Sequence, residues 1–266
     1  MSFPTLDESL RQQRLQPPTG KVSLVLDTDT YNEIDDQFAV AHALLSPDRL
    51  DVEAIYAAPF HNDRSSGPED GMERSYDEIL RILERLGKSG DDFALKGSRG
   101  YLTAPDAPRQ SDAAADLVRR ALTPREGPLY VVAIGAITNV ASALLLNPEI
   151  AAHIVVVWLG GHPHSWHSAH EFNLRQDVTA AQVILDCGVP FVQIPCATVA
   201  SHLLTTIAEL AQYVQPQGDI GQYLFDICQS YCKDQYAWSK EIWDISATGW
   251  LIDANWVPSN IVPSPI

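Results

Sequence analysis

The chain has 266 residues, of which 45% are hydrophobic, and its formal net charge at pH 7 is −16. This length suits one large core, so we expect a single domain over residues 1–266, with residues 1–20 as an extended N-terminal arm. The acidic balance disfavours binding to a nucleic acid polymer or to an anionic membrane surface, because both repel a negatively charged protein.

Three features predict a cytoplasmic protein without a membrane segment. Residues 1–20 are polar and lack the apolar stretch of a secretory signal. No apolar run approaches the roughly 20 residues that a membrane-spanning helix needs. The cysteines form no CxxC pair, so free thiols in a reducing compartment are expected for Cys187, Cys196, Cys228 and Cys232.

In chain order, continuous apolar runs alternate with helical patterns. Buried strands are predicted over residues 22–26, 52–58, 93–95, 129–134, 154–159 and 189–194. Helices are predicted from Asp36, over residues 72–86 and 111–122, from an N-cap at Thr138 to near Asn147, and over 178–187. Polar loops are expected over residues 61–71 and 160–170, and mostly helical chain after residue 194.

This alternation of strands and helices predicts the fold class. We expect an α/β fold with an open, mostly parallel central sheet and helices on both faces. In such sheets the ligand site lies outside the carboxyl ends of the strands. The loops that follow Leu26, Ala58, Ile134 and Leu159 are therefore expected to form the site.

The first of these loops is strongly acidic, with five carboxylates within ten residues: Asp27, Asp29, Glu33, Asp35 and Asp36. Strand alternation turns Asp27 and Asp29 to the same side. Two carboxylates about 5 Å apart repel by roughly 3 kcal/mol at an effective dielectric near 20, so a cation or protons must neutralise such a group. Oxygen ligands favour calcium or magnesium over zinc. The alternative is an acidic loop whose side chains extend into water or cap the helix.

Four short elements along the chain belong together: Leu26-Asp27-Thr28-Asp29 with Asp35-Asp36, Ile134-Gly135-Ala136-Ile137-Thr138-Asn139, Leu159-Gly160-Gly161 with Glu171-Phe172-Asn173, and Trp243-Asp244. With these elements the chain resembles the inosine-uridine-preferring nucleoside hydrolases, over about residues 22–253. The resemblance implies an open α/β fold and hydrolysis of the N-glycosidic bond of ribonucleosides. It also implies one bound calcium ion (Ca2+), a small-molecule nucleoside as the partner, and a homodimer or homotetramer.

The resemblance also assigns roles to individual residues. Asp29, Asp36 and Asp244 are implied as calcium ligands, together with the backbone carbonyl of Ile134. Asp35 would accept hydrogen bonds from the ribose hydroxyls. Further substrate contacts are implied for Asn62 (or His61, one residue earlier), Glu171, Asn173, Asp244 and Trp243.

The chemistry of the reaction agrees with an acidic site. Breaking an N-glycosidic bond builds positive charge on the ribose, which surrounding carboxylates stabilise. Calcium would anchor a water and the ribose hydroxyls and would modestly acidify the water. Asp29 is the expected general base, because it can contact both the metal and the water.

The chain departs from the family pattern at three places. The loop over residues 30–34 is two residues longer, so Tyr31 or Glu33 is expected near the pocket. Trp243 replaces a histidine that often protonates the leaving base, and it is expected to stack on the base. Ser165 or Trp166 replaces an asparagine that commonly binds the sugar. The candidates for a replacement acid are four histidines of the same loop: His162, His164, His167 and His170. The alternative is a polar loop whose imidazoles face solvent and take no part in the reaction.

Two other functions remain open. One is hydrolysis of another N-riboside, such as a nicotinamide or modified-base riboside. The other is a non-catalytic sugar- or nucleoside-binding protein that keeps the metal site. Aspartate phosphoryl-transfer enzymes also begin with a strand that ends in Asp-x-Asp, but no lysine stands at a matching strand end here.

Overall fold

The computed structural model describes residues 3–232, 234 and 236–266. Its centre is a parallel sheet of six strands in the order β3-β2-β1-β4-β5-β6. The strands are β1 (Val22–Thr28), β2 (Leu50–Ala57), β3 (Ala94–Lys96), β4 (Leu129–Ala133), β5 (Ile154–Leu159) and β6 (Phe191–Ile194). The order reverses between β1 and β4, so their carboxyl ends form the switch point at which open sheets bind ligands.

Ten helices are described: α1 (Glu8–Arg14), α2 (Asp36–Leu44), α3 (Pro68–Arg85), α4 (Asp112–Ala121), α5 (Thr138–Leu146), α6 (Phe172–Gln176), α7 (Val178–Asp186), α8 (Ile207–Glu209), α9 (Gly218–Tyr231) and α10 (Ile245–Ile252). Short 3-10 turns occupy Pro148–Ala152 and Ala200–His202, and a π-helical turn follows α8 over Leu210–Val214. The short strands β7 (Leu204–Thr205) and β8 (Lys240–Glu241) pair antiparallel.

Two hydrophobic cores flank the sheet, one on each face. Alternation along β1 sends Leu24 and Leu26 into the core that α2, α3, α9 and α10 cover. Val25, between them, packs into the opposite core with residues of α4, α5 and α7. The predicted α/β architecture, with a parallel sheet covered on both faces, is therefore confirmed.

Several predicted boundaries differ from the structure. The segment expected as an extended arm contains α1, whose N-cap Asp7 accepts backbone N–H groups. α3 begins at Pro68, inside the predicted loop, because proline suits the first turn of a helix. Thr138 is the first residue of α5 rather than its cap. Among the described helices, none combines the length and apolarity that a bilayer crossing requires.

Candidate functional site

The site lies at the carboxyl ends of β1 and β4. The register pairs Asp27 of β1 with Ala133 of β4, so the chain segments that leave the two strands run side by side. The Asp29 carboxylate lies against Gly135, where an added Cβ would stand 2.9 Å from Asp29 Cγ. A larger residue at position 135 would push this carboxylate aside, so glycine is required for its placement.

Three carboxylates from two distant stretches meet next to Asp29. One oxygen from each of Asp35, Asp36 and Asp244 lies within 4.8 Å of the other two. Asp35 and Asp36 stand at the start of α2, whereas Asp244 directly precedes α10. The three residues are at most 4% exposed. The structure thus brings together the predicted ligands Asp36 and Asp244, and it adds Asp35, for which we expected contact with the sugar.

Asp29 lies beside this trio, outside the group of three. Both of its carboxylate oxygens are buried without a hydrogen-bond partner among the described residues. Asp27 differs, because its Oδ1 accepts a hydrogen bond from Asn139 Nδ2 at 2.7 Å, although its Oδ2 is also unpartnered. Buried polar atoms without partners are costly. The orphaned oxygens of Asp29 therefore indicate a missing cationic or hydrogen-bonding partner.

Burial sets the electrostatics of the four carboxyls. Desolvation raises the pKa of Asp36 to about 8 and that of Asp35 to about 6. Desolvation, reinforced by the neighbouring carboxylates, raises the pKa values of Asp29 and Asp244 well above the usual range. The four groups cannot all be ionised near neutral pH without added positive charge. A buried, oxygen-only set with unpartnered atoms fits a hard divalent cation.

Lys240 supplies a positive charge near these carboxylates. Its Nζ donates to Glu33 Oε2 at 2.8 Å and to the Glu241 carbonyl at 2.7 Å, and the residue is 6% exposed. Burial opposes its charge, but Asp35 and Glu33 together raise the pKa of Lys240 above its usual value. Lys240 could not be predicted as part of the site, because nothing in its local sequence indicates burial against a loop 207 positions away.

The predicted sugar-binding residues Glu171 and Asn173 are anchored at the ends of β4 and β5. Asn173 Nδ2 donates to the carbonyls of Ile134 and Leu159, at 3.1 and 3.0 Å. Glu171 caps α6, and its carboxylate accepts the backbone N–H groups of Asn173, Leu174 and Gly161. Both side chains therefore form hydrogen bonds with backbone groups. The Ile134 carbonyl, predicted as a metal ligand, already accepts one of these hydrogen bonds, from Asn173.

The longer loop over residues 30–34 is held by residues 62 and 64 and by Lys240. Asn62, predicted to contact the sugar, donates to Asn32 Oδ1 at 2.8 Å. Arg64 lies 4.4 Å above the Tyr31 ring, which lines a cavity of about 530 Å³ together with Gln37 and Tyr223. Tyr31 thus faces this cavity, whereas Glu33 turns towards Lys240. The half-buried Trp243 lies under Lys240, with Nζ 5.8 Å from the ring centroid.

The four predicted histidines lie in the loop after β5. His162 Nδ1 accepts the Ala197 N–H at 3.3 Å, and His164 Nε2 contacts Gln193 Oε1 at 3.1 Å. Both line a cavity of about 260 Å³ beside Trp158. His167 and His170 are exposed. In the described part of the chain, no hydrogen bond joins any of the four to the carboxylate site.

Comparison with known proteins supports one family. The sequence profile described as "Inosine-uridine preferring nucleoside hydrolase" matches residues 24–262. A protein named pyrimidine-specific ribonucleoside hydrolase RihA from Klebsiella pneumoniae is 29% identical over 76% of this chain and 70% of its own length. A protein of the same name from Escherichia coli is 30% identical over 64% of this chain, which spans 58% of that relative.

A solved structure is similar in fold. It is that of a purine-preferring ribonucleoside hydrolase from Gardnerella vaginalis, and it superposes with a TM-score of 0.69 at 24% identity. The superposition covers 88% of this chain and 80% of the other. The fold of this chain is thus similar to that of this solved structure.

Proposed function

Because the chain belongs to the inosine-uridine preferring nucleoside hydrolase family, we propose that it hydrolyses the N-glycosidic bond of ribonucleosides to release ribose and a free base. The observation that carries this proposal is the buried group of Asp29, Asp35, Asp36 and Asp244 at the sheet's switch point. The name of the Klebsiella relative supports a ribonucleoside as the substrate class.

We propose Ca2+ as the cation for this group. Asp36 and Asp244 would hold it together with Asp29 and the Ile134 carbonyl, and Asp35 is close enough to contribute an oxygen. When bound, calcium supplies positive charge that allows the buried carboxylates to ionise, and it orients oxygen ligands. The unpartnered oxygens of Asp29 support its membership of the set.

The chain's own residues account for the remaining chemistry. Water attacks C1′ of the ribose, and the ionised Asp29 accepts its proton. The C1′–N bond breaks with both electrons passing to the base, and the surrounding carboxylates stabilise the positive charge that develops on the sugar. Asp35 accepts hydrogen bonds from the ribose hydroxyls, and Trp243 stacks on the base. Asn62, Glu171 and Asn173 complete the sugar contacts.

Base release tests this proposal directly. Inosine, uridine, p-nitrophenyl riboside, nicotinamide riboside and a modified-base riboside are each incubated with the full chain and calcium, and the free base or nitrophenolate is measured. Release from inosine or uridine is the expected result. Release from a nicotinamide or modified-base riboside alone would instead favour a hydrolase of another N-riboside. Binding without release from any riboside would favour a non-catalytic sugar- or nucleoside-binding protein.

We predict that ribosides are hydrolysed at least about 100-fold faster than 2′-deoxyribosides, as judged by kcat/KM. A buried carboxylate that accepts a hydroxyl hydrogen bond, such as Asp35, rejects the analogue that lacks this hydroxyl. The measurement compares uridine with 2′-deoxyuridine. Equal rates on the two substrates would contradict the proposed contact between Asp35 and the sugar.

We also propose a single domain over residues 1–266, a homodimer or homotetramer, and a cytoplasmic location. The family resemblance supports the oligomer, and the free thiols Cys187, Cys196, Cys228 and Cys232 support a reducing compartment. Light scattering on the purified chain tests the oligomeric state, and a monomer would contradict this part of the proposal.

A further inference from the structure

Two departures from the family pattern meet at one ion pair. The longer loop contributes Glu33, and the segment that carries Trp243 in place of histidine contributes Lys240. Their charged atoms lie 2.8 Å apart. The ammonium also lies 5.8 Å from the centroid of the Trp243 ring, the residue that stands in place of the histidine in the family resemblance.

Among the described residues, the surroundings of Lys240 fix its position and leave one of its N–H groups without an acceptor. Two of its three N–H groups donate to Glu33 and to the Glu241 carbonyl. Tyr231 holds the other Glu33 oxygen through its hydroxyl at 3.3 Å, and Arg64 holds the Glu33 carbonyl at 2.7 Å. No third acceptor for the ammonium is present among the described residues. The ring of Trp243, the proposed base-stacking residue, lies under the ammonium, with Nζ 5.8 Å from the ring centroid.

We propose that the Lys240 ammonium donates a hydrogen bond to the departing base and stabilises the negative charge that the base acquires as the C1′–N bond breaks. The acceptor would be an oxygen next to the reacting nitrogen, such as a ring carbonyl of a pyrimidine. This inference rests on the proposed function, because it concerns the leaving group of that reaction.

Lys240 transfers no proton in this step. The bonding electron pair passes to the base nitrogen and spreads onto its carbonyl oxygen, which the ammonium contacts. Water adds to C1′, and its proton passes to Asp29. The base anion takes a proton from solvent on release, and Asp29 returns its proton to solvent. Lys240 thus acts as a fixed charge at the place where negative charge develops.

The test compares a riboside whose leaving group needs stabilisation with one whose leaving group does not. In Lys240→Met, kcat/KM for uridine should fall by about 10²–10³-fold, the usual cost of removing one preorganised donor. For p-nitrophenyl riboside it should fall by less than about tenfold, because nitrophenolate leaves readily without help. Lys21→Met is the matched control. It removes an exposed lysine paired with Asp51 at the amino ends of β1 and β2, at the other end of the strands from the carboxylate site, so both rates should be unchanged.

A second variant separates the charge from loop anchoring. Glu33→Gln breaks the same ion pair but keeps the ammonium, so it should retain at least about tenfold more activity on uridine than Lys240→Met. Equal losses on the two substrates, no loss on either, or a Glu33→Gln loss that matches Lys240→Met would overturn the inference. If the unmodified chain releases nothing from any riboside, the proposed function itself fails, and the role of Lys240 fails with it.

Discussion

Replacing Asp29 by asparagine is expected to lower kcat at least about 10³-fold, because the amide cannot accept the proton of the attacking water and adds no charge beside the ribose. The same change should raise the unfolding temperature measured in the presence of a chelator. Without a cation, the buried Asp29 must take up a proton to fold near neutral pH, since burial and its neighbours raise its pKa well above the usual range. Asparagine avoids that cost.

The opposite signs of these two effects distinguish Asp29 from a structural carboxylate. Asp116 is the matched control, because it is also buried but both of its oxygens are paired: Oδ2 accepts from Tyr56 and Arg120, and Oδ1 accepts from Arg119. Asp116→Asn should lower the unfolding temperature, by about 2–4 °C for each kcal/mol lost, and should leave kcat near that of the unmodified chain. If Asp29→Asn kept full activity, its assignment as the general base would be wrong.

Calcium is expected to stabilise the folded chain more strongly at about pH 8 than at about pH 5. Burial raises the folded-state pKa of Asp36 to about 8 and of Asp35 to about 6, whereas both are near 3.9 in the unfolded chain. Between about pH 4 and pH 8 the cation-free folded state therefore binds more protons than the unfolded state. Its stability consequently falls as the pH rises through this window.

Calcium competes with these protons, so its effect grows as they are lost. At a free concentration 1,000 times its dissociation constant, a ligand that binds only the folded state adds about 4 kcal/mol. Thermal unfolding in chelator and in saturating calcium, at both pH values, measures the effect. A chelated chain whose stability rises from about pH 5 to about pH 8 would show that these carboxyls are not buried as described.

The acidic loop after β1 could be predicted from the sequence, because its carboxylates lie next to one another along the chain. A continuous apolar run followed by Asp-x-Asp predicts carboxylates at the end of a buried strand, and the structure places Asp27 on β1 with Asp29 directly after it. Asp244 required the family resemblance, since it joins Asp35 and Asp36 from more than 200 residues away.

Other features depended on three-dimensional packing that no local pattern carries. The sequence predicts Glu171 at the sugar but not its place as the N-cap of α6, because a glutamate that caps a helix has the same residue type as one that binds a hydroxyl. The histidine loop follows a strand's carboxyl end, yet the chain turns at Gly161 with φ +71°, and His162 and His164 line a separate cavity. The pairing of Lys240 with Glu33 joins two segments whose contact arises only from the tertiary fold.

Calorimetric titration of calcium into the chelated chain tests most directly whether these carboxylates hold a cation. The unmodified chain should bind one calcium ion, and Asp36→Asn or Asp244→Asn should weaken that binding at least about 100-fold by removing a charged ligand. Undetectable calcium binding by the unmodified chain, or unchanged calcium affinity in both variants, would contradict the proposed cation site.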